Sequence, residues 1–418
     1  LRACAGGSVD PQASVITARA FAGKHFAVYG LARSGIATAK ALLASGAKVT
    51  AWDDRLFPGK GRDPGRCEAA VSAALDPGLR RGTELLDLNS ADLAQFDSLV
   101  VTPGLPLNRH PIAKRAREAG VEIIGDIELF ARARPELPPH KVVGITGTNG
   151  KSTTTALVHH ILKTAGVPSA MGGNIGEPIL SLDPLPEGGV YVLELSSYQI
   201  DLTQSLDCDV AVLLNITPDH LDRYDSFEAY AASKARLFEM QSPDHFAFIV
   251  ADDPESRNLI PRLNIEERHR WIDGFPVSGM NPVWSGTLLE DGLDQAAWPS
   301  LQGPHNAQNA AAAVETCLNL GIDLPEIEEA LRTYPGLPHR MERVAERGGV
   351  VFVNDSKATN PTAAAPALAA FERIRWICGG QAKTDNLDEC APHFAHVRSA
   401  YTIGEAAGLF EKLLKPHM

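Results

Sequence analysis

The most chemically pointed stretch of the chain is a lysine followed by two hydroxyl residues and preceded by a glycine-bearing turn. Gly144-Ile145-Thr146-Gly147-Thr148-Asn149-Gly150-Lys151-Ser152-Thr153 runs from an apolar strand into a helical pattern. In that context backbone amides and a helix N-terminus offer partial positive charge to phosphate. Lys151 adds a full charge for the β- and γ-phosphates of a nucleotide, and Ser152 offers a hydroxyl to Mg²⁺. The strict spacing asks for glycine at position 145, where Ile145 stands; glycines fall at 144 and 147 instead. The bland alternative is a chance glycine turn before a helix, and the Gly-Lys-Ser-Thr run between strand and helix outweighs it. Gly147, Thr148, Asn149, Gly150, Lys151, Ser152 and Thr153 are therefore read as nucleotide-binding. By itself such a loop fits kinases, GTPases and motor ATPases equally well.

A second glycine turn lies nearer the start. The strand Phe26-Ala27-Val28-Tyr29 leads into Gly30-Leu31-Ala32-Arg33-Ser34-Gly35, a helical stretch from Ile36 to Leu43, and a strand from Lys48 to Trp52 that ends in Asp53-Asp54. This is a dinucleotide fingerprint whose middle glycine is Ala32. Asp53 stands about 20 residues further on, where a ribose-binding acid would sit. Taken alone, the segment supports an NAD-dependent oxidoreductase.

The elements that must carry these turns alternate. Strands are predicted at Ser98 to Val101, Val142 to Ile145, Val190 to Leu193 and Val210 to Leu214, with helices at Thr153 to Leu162, Phe227 to Phe238 and His305 to Leu320. Strands alternating with helices imply α/β architecture with mostly parallel sheets. A third unit shows a strand at Val350 to Val353, a helix at Thr362 to Phe371, a strand at Arg375 to Cys378 and a strand–helix pair near Ala400 to Leu414. The Gly/Pro-rich segment 56–66 reads as a surface loop, and 131–140, with Pro135, Pro138 and Pro139, as a linker. The division expected is a disordered leader (1–20) and domains at 21–132, 133–335 and 336–418.

Bulk properties exclude several classes. A net charge of -12 disfavours nucleic acid and anionic membranes as partners. The six cysteines form no CxxC pair, so a disulfide framework or zinc site is not expected, and a reducing cytoplasm fits. No apolar run reaches the roughly 20 residues of a membrane-spanning helix, and the first residues lack the order of a signal peptide.

The phosphate loop Gly147-Thr148-Asn149-Gly150-Lys151-Ser152 resembles that of the Mur ligases and folylpolyglutamate synthases. The likeness extends to Gly172-Gly173-Asn174-Ile175-Gly176, Glu194-Leu195-Ser196-Ser197-Tyr198-Gln199, Asn215-Ile216-Thr217-Pro218-Asp219-His220-Leu221-Asp222, Gly303-Pro304-His305-Asn306-Ala307-Gln308-Asn309, Leu337-Pro338-His339-Arg340 and Asn354-Asp355-Ser356-Lys357-Ala358-Thr359-Asn360. On these blocks the chain resembles the Mur ligase family, and within it the branch that adds D-glutamate. The Asp-Asn-Pro-Arg motif of the branch adding a diamino acid is not found. The resemblance implies a Rossmann-like N-terminal domain for a UDP-linked substrate, a central P-loop ATPase domain, and a Rossmann-like C-terminal domain for the amino acid. It also implies the chemistry. ATP phosphorylates the alanine carboxylate of UDP-N-acetylmuramoyl-L-alanine (UDP-MurNAc-L-Ala), and the D-glutamate amine displaces phosphate. A carboxylate is a poor electrophile, and phosphorylation supplies the leaving group.

Residue by residue, the resemblance implies that Ser152, Glu194 and His220 ligate Mg²⁺ (two ions), with Lys151, Glu194, His220 and Lys234 catalytic. Lys234 is implied to be a carbamate derived from CO₂, which turns a repelled ammonium into two hard oxygen ligands. From sequence alone, a solvated helix lysine is the plainer reading of Lys234. Asn306, Arg340 and Asp355 are implied to touch the nucleotide, although an asparagine there is also a common helix cap. Thr359 and Lys383 are implied to hold D-glutamate. Ala32, Arg33, Ser34, Asp53, Asp54, Arg55, Thr102, Asn174, Gln199 and His220 are implied to line the UDP-substrate cleft. A cytoplasmic monomer is expected.

Against the family pattern, the third domain reads as short of a strand and a helix beyond Met418. The chain is therefore expected to expose a strand edge, to bind nucleotide and to ligate poorly. The readings left open are another Mur-type or folylpolyglutamate-type amide ligase, an NAD-binding oxidoreductase with a fused ATPase, and a non-catalytic binding module.

Overall fold

A computed structural model describes residues 15–55, 79, 82–219, 222–263, 293–382 and 384–417. The first sheet comprises β1 (His25–Tyr29), β2 (Lys48–Trp52), β3 (Thr83–Leu85), β4 (Ser98–Val101) and β5 (Glu122–Ile124), in the order β3-β2-β1-β4-β5. All pairings are parallel. The strands are near-continuous apolar runs because helices cover both faces of such a sheet; every residue of β4 is buried. Strand order reverses between β1 and β4, so a crevice opens at their carboxyl ends.

The second sheet comprises β6 (His140–Thr146), β7 (Ser169–Gly173), β8 (Gly189–Glu194), β9 (Val210–Leu213) and β10 (Phe246–Ile249), ordered β10-β9-β6-β8-β7 and again parallel throughout. β6 is central and delivers the phosphate loop into the helix Lys151–Thr164. The third unit carries β11 (Glu342–Arg347) antiparallel to β12 (Val350–Asn354), and β13 (Ile374–Gly379) parallel to β14 (Val397–Ile403). These two ladders do not join. Val350, Val351, Phe352, Ile377 and Ile403 are exposed on them.

Packing groups these units unequally. One apolar cluster runs from Phe26, Val28 and Phe130 in the first unit to Tyr191, Leu193, Leu206 and Tyr230 in the second. The other face of the second sheet packs Val143, Ile145, Leu157 and Trp298 against the helix Pro304–Asn319. The third unit has a small core of its own, including Leu368, Phe394, Val397 and Leu414. With each buried large side chain contributing roughly 1.5–3 kcal/mol, the shared cluster binds the first two units into one body.

The structure corrects two expectations. The leader does not reach Ala20: Ile16 is fully buried and its N–H bonds Leu180 O at 3.2 Å, while Arg19–Phe21 form a 3₁₀ turn. The stretch 131–140 is not a free linker. It is filled by the end of the helix Asp126–Ala133 and the 3₁₀ turn Arg134–Glu136. Arg134 is tied to Asp209 Oδ2 at 3.2 Å and to Asp207 O, and Glu136 accepts from Arg19 N at 2.8 Å. The prolines read as a linker, and side-chain anchors on either side hold it in place. Residues 1–14 and the loop 56–66 lie outside the described residues. Five short or charged strands, β3, β5, β7, β10 and β11, carried no sequence signal strong enough to read.

Candidate active site

Gly150 opens the helix Lys151–Thr164 at φ 85°, a left-handed conformation. A Cβ there would lie 2.2 Å from Asn309 Oδ1. Asn309 is buried on the helix Pro304–Asn319, accepts from Thr154 Oγ1 at 3.3 Å and donates to Asn306 Oδ1 at 3.2 Å. Asn306 in turn donates to Gln302 O at 3.1 Å. Asn306, expected at the nucleotide, thus bonds Asn309, which in turn ties that helix to the one leaving the phosphate loop. The other flank is shaped by Asn215, whose Oδ1 accepts from Thr148 N at 3.1 Å and Asn149 N at 2.8 Å. Sequence reasoning assigned no role to Asn215 or Asn309. Their place in the matched blocks was the available signal.

Lys151 Nζ donates to the carbonyls of Gly147 and Thr148, both at 2.8 Å. Burial pulls its ammonium below the usual lysine value, with Glu194 and Asp219 opposing. Glu194 ends β8, one strand over. Its Oε1 accepts from Asn174 Nδ2 at 2.9 Å, whereas Oε2 is buried and has no hydrogen-bond partner among the described residues. Asn174, expected at the UDP substrate, is thus placed directly on Glu194. Ser152 is buried, and Arg340 Nη2 reaches its Oγ at 3.2 Å.

Lys234 is not solvated. It is 1 % exposed on the helix Phe227–Glu239, donates to Gly147 O at 2.9 Å and lies 4.6 Å from the Tyr230 ring centre. Burial, and then the nearby Lys151, hold its amine well below the usual lysine value.

The third unit closes a cleft over the phosphate loop, lined by Asn149, Thr153, Asn306, Arg340, Asp355 and Ala363 among others. Arg340 is aimed by its neighbours: His339 and Met341 have φ of 64° and 48°, and Met341 N donates to Asp355 Oδ1 at 3.0 Å. Burial pushes the Asp355 carboxyl up, against the Met341 hydrogen bond and Arg340.

At the first sheet, the Gly30–Gly35 turn is tight enough that a Cβ on Gly35 would meet Gly30 O at 1.8 Å, and one on Gly30 would meet Thr102 Oγ1 at 2.4 Å. Asp53 Oδ2 accepts from Leu31 N at 2.7 Å and Oδ1 from Arg55 N at 2.8 Å. Asp54 accepts from Tyr29 Oη and Trp52 Nε1, each at 2.7 Å, and from Asn89 Nδ2 at 2.9 Å. Burial opposes ionisation of Asp54, yet these bonds hold its carboxyl below the usual range. Ala32 caps the helix Arg33–Ala44. Arg33 donates to Gly176 O at 2.9 Å, and Ser34 bonds the buried Asp126. Gln199 Oε1 closes a capping box on Ser196 N at 3.1 Å, so that acceptor faces its own helix. Thr359 is exposed before the helix Pro361–Ala370. His220 and Lys383 lie outside the described residues.

The donor set suits Mg²⁺. Such ions take one or two carboxylates together with substrate phosphates rather than a full protein cage. Glu194 leaves one buried oxygen unsatisfied beside the Ser152 loop, and among the described residues no group of His, Cys, Asp or Glu could hold a metal unaided.

Comparison with known proteins gives a match at each unit: the Mur ligase MurD-like N-terminal domain over residues 24–125, the Mur ligase middle domain over 145–317, and the Mur ligase glutamate ligase domain over 339–415. The UDP-N-acetylmuramoylalanine–D-glutamate ligase of Novosphingobium aromaticivorans is 56% identical over 404 residues, covering 97% of this chain and 85% of that protein. This chain belongs to the Mur ligase family. The ligase of the same name from Zymomonas mobilis is 52% identical over 405 residues, covering 96% of this chain and 87% of the relative. The UDP-N-acetylmuramate–alanine ligase of Thermotoga maritima shares the fold at 17% identity, with a TM-score of 0.52 over 94% of this chain and 88% of that one. In this Mur ligase the oxidoreductase reading of the Gly30 turn therefore falls: Ala32 stands in a ligase's first domain. Among the described residues no helix is long and apolar enough to cross a membrane.

Proposed function

We propose that this chain is an ATP-dependent ligase that joins D-glutamate to UDP-MurNAc-L-Ala in peptidoglycan precursor synthesis. Its relatives across nearly the whole chain carry that activity in their names. The observation that supports the chemistry best is the convergence on one loop of Lys151, Arg340 and the unsatisfied oxygen of Glu194.

The residues divide the work by position. Loop amides and Lys151 hold the β- and γ-phosphates. Arg340 brings a second cation to the same phosphates, offsetting the charge that builds as the phosphoryl group transfers. Glu194 and Ser152, with His220, would hold Mg²⁺, which would neutralise phosphate charge there. The alanine carboxylate takes the γ-phosphoryl group to give an acyl phosphate and ADP. The D-glutamate amine attacks the carbonyl carbon, phosphate leaves with the C–O bond pair, and the amine loses a proton. Closure of the third domain over the cleft keeps water from the acyl phosphate.

Lys234 is a candidate carbamate. It is buried beside Lys151, where a second ammonium is poorly placed, and an amine held in its neutral form is the species that attacks CO₂ to give N–COO⁻ and a proton. The UDP-substrate is assigned to Ala32, Arg33, Ser34, Asp53, Asp54, Arg55, Thr102, Asn174, Gln199 and His220; adenine to Asn306; the nucleotide, from the third domain, to Arg340 and Asp355; D-glutamate to Thr359 and Lys383. Domain borders are placed near residues 132 and 335. A monomer acting in the cytoplasm, where its nucleotide substrates reside, completes the reading.

Phosphate release with ATP, Mg²⁺ and UDP-MurNAc-L-Ala should rise with D-glutamate and not with L-alanine or a diamino acid. Heavy oxygen placed in the substrate carboxylate should appear in the released phosphate. Stimulation by another amino acid, or unlabelled phosphate during ligation, would reject the assignment.

A further inference from the structure

Arg223 has no part in the chemistry described above, yet it is among the most engaged side chains at the cleft. It lies on the segment that leaves the carboxyl end of β9. Its guanidinium donates to Leu105 O at 2.9 Å and to Pro103 O and Gly104 O at 3.4 Å. These carbonyls belong to the loop that leaves β4 in the first domain, immediately after Thr102. The guanidinium carbon also sits 4.2 Å from the centre of the Tyr198 ring, on the short helix that follows Glu194.

The contact is reciprocal. Arg109 Nη2 and Asn108 Nδ2, from the first-domain loop, donate to Asp222 O at 2.5 Å and 3.3 Å. Tyr224 stacks on Tyr198 with centroids 6.0 Å apart at 16°, and its hydroxyl reaches Asp201 at 2.8 Å. The segment Asp222–Tyr224 is therefore bound to both walls of the cleft at once. A planar guanidinium can offer several N–H groups at its edge while its face lies on an aromatic ring, which a lysine cannot do.

We propose that Arg223 is a positioning residue for the UDP-substrate. It clasps the loop after β4 to the carboxyl end of the central sheet, so that a substrate held at the Gly30–Gly35 turn presents its far, reacting end toward the phosphate loop. The proposal rests on the reading that the UDP-substrate spans the first two domains. Fold integrity does not rest on the clasp. The shared apolar cluster and Glu128, which accepts from Gln204 N at 2.7 Å and Ser205 N at 2.9 Å, join the same two domains independently.

The test uses the full chain and calorimetric binding of UDP-MurNAc-L-Ala and of ADP, beside steady-state turnover. Losing the stacked guanidinium and its bonds in Arg223→Ala should weaken UDP-substrate binding and raise its KM roughly tenfold, with ADP binding and melting temperature unchanged. Arg223→Lys should behave like Arg223→Ala. Tyr198→Phe, which keeps the ring, should behave like wild type, and Tyr198→Leu should not. Unchanged UDP-substrate binding in Arg223→Ala overturns the proposal while leaving the ligase reading intact. Equal weakening of ADP and UDP-substrate binding overturns it in favour of a general structural role. A wild-type chain that fails to bind UDP-MurNAc-L-Ala at all removes the ligase reading and the proposal with it.

Discussion

Lys151 and Lys234 donate to the same carbonyl oxygen, that of Gly147, at 2.8 Å and 2.9 Å. Two lysine side chains on one acceptor, away from water, repel each other whenever both are charged. Burial holds both below the usual lysine value, and Lys234 further than Lys151. Of the two, Lys234 is the amine more readily neutral. Lys234→Gln keeps a donor for Gly147 but cannot be carbamylated. It should lower kcat by roughly 10²-fold or more, the scale of losing one preorganised electrostatic group, with ADP binding retained. Labelled bicarbonate should give a carbamate resonance in the wild type and none in the variant. Full turnover by Lys234→Gln would exclude the modification as a functional feature.

The phosphate loop should be intolerant of a single methyl group at Gly150. Gly150→Ala must hold a left-handed backbone at a cost of roughly 1–3 kcal/mol and push its Cβ to 2.2 Å from Asn309 Oδ1. Reduced unfolding free energy together with lost ADP binding is expected. Asn309→Ala in the same background should recover part of the stability, because it removes the clash and leaves the backbone strain.

Arg340 reaches Ser152 from the third unit at 3.2 Å. Arg340→Ala should lower kcat by roughly 10²–10³-fold and change the affinity for the UDP-substrate little, since that ligand is assigned to the first domain. A KM effect confined to the UDP-substrate would contradict this placement.

Asp126 makes stability depend on pH. Its carboxyl is fully buried and burial pushes it up to about 6, against bonds from Ile127 N and Ser34. The unfolded chain releases this proton near the ordinary aspartate value of 3.8. Between these values the folded state holds more protons than the unfolded one, so this group makes stability fall as pH rises from about 4 to about 6 and level off above. The integrated effect is about 3 kcal/mol. Asp126→Asn should abolish that slope and be the more stable protein at pH 7 by denaturant unfolding. A variant whose pH profile overlays the wild type would refute the assignment.

Glu128 joins the first two domains with a side chain that is 1% exposed. It accepts from Arg132 Nε, Ser205 Oγ and the amides of Gln204 and Ser205. Glu128→Ala removes a buried acceptor from donors that water can still reach in part, Arg132 being 28% exposed, and should cost roughly 1–3 kcal/mol. A shift in denaturation midpoint much smaller than this would show that the shared apolar cluster alone holds the domains.

The fold class and much of the site were legible because their signals are local. β1, β4, β6, β8 and β9 are apolar runs bounded by turn residues, and their observed ends fall within a few residues of the expected ones. β11, Glu-Arg-Val-Ala-Glu-Arg, is polar and exposed, so no hydrophobic pattern marks it. Ile145, where the strict phosphate-loop spacing asks for glycine, is a buried residue of β6, and the left-handed positions that the loop needs fall at Gly147 and Gly150.

The sequence by itself determined which loop carries the phosphate-binding pattern, which strands lead to that loop, and the family to which the ordered blocks point. Each of these is written in neighbouring residues. Tertiary structure alone decided that Lys234 is buried on the Gly147 carbonyl, that Asn215 and Asn309 brace the loop, that Arg340 meets Ser152, and that the first two domains share a core. Each of those contacts joins residues far apart in the chain, and their distances are set by how helices pack on the second sheet and how the neighbouring units meet it, which no local pattern of side chains encodes.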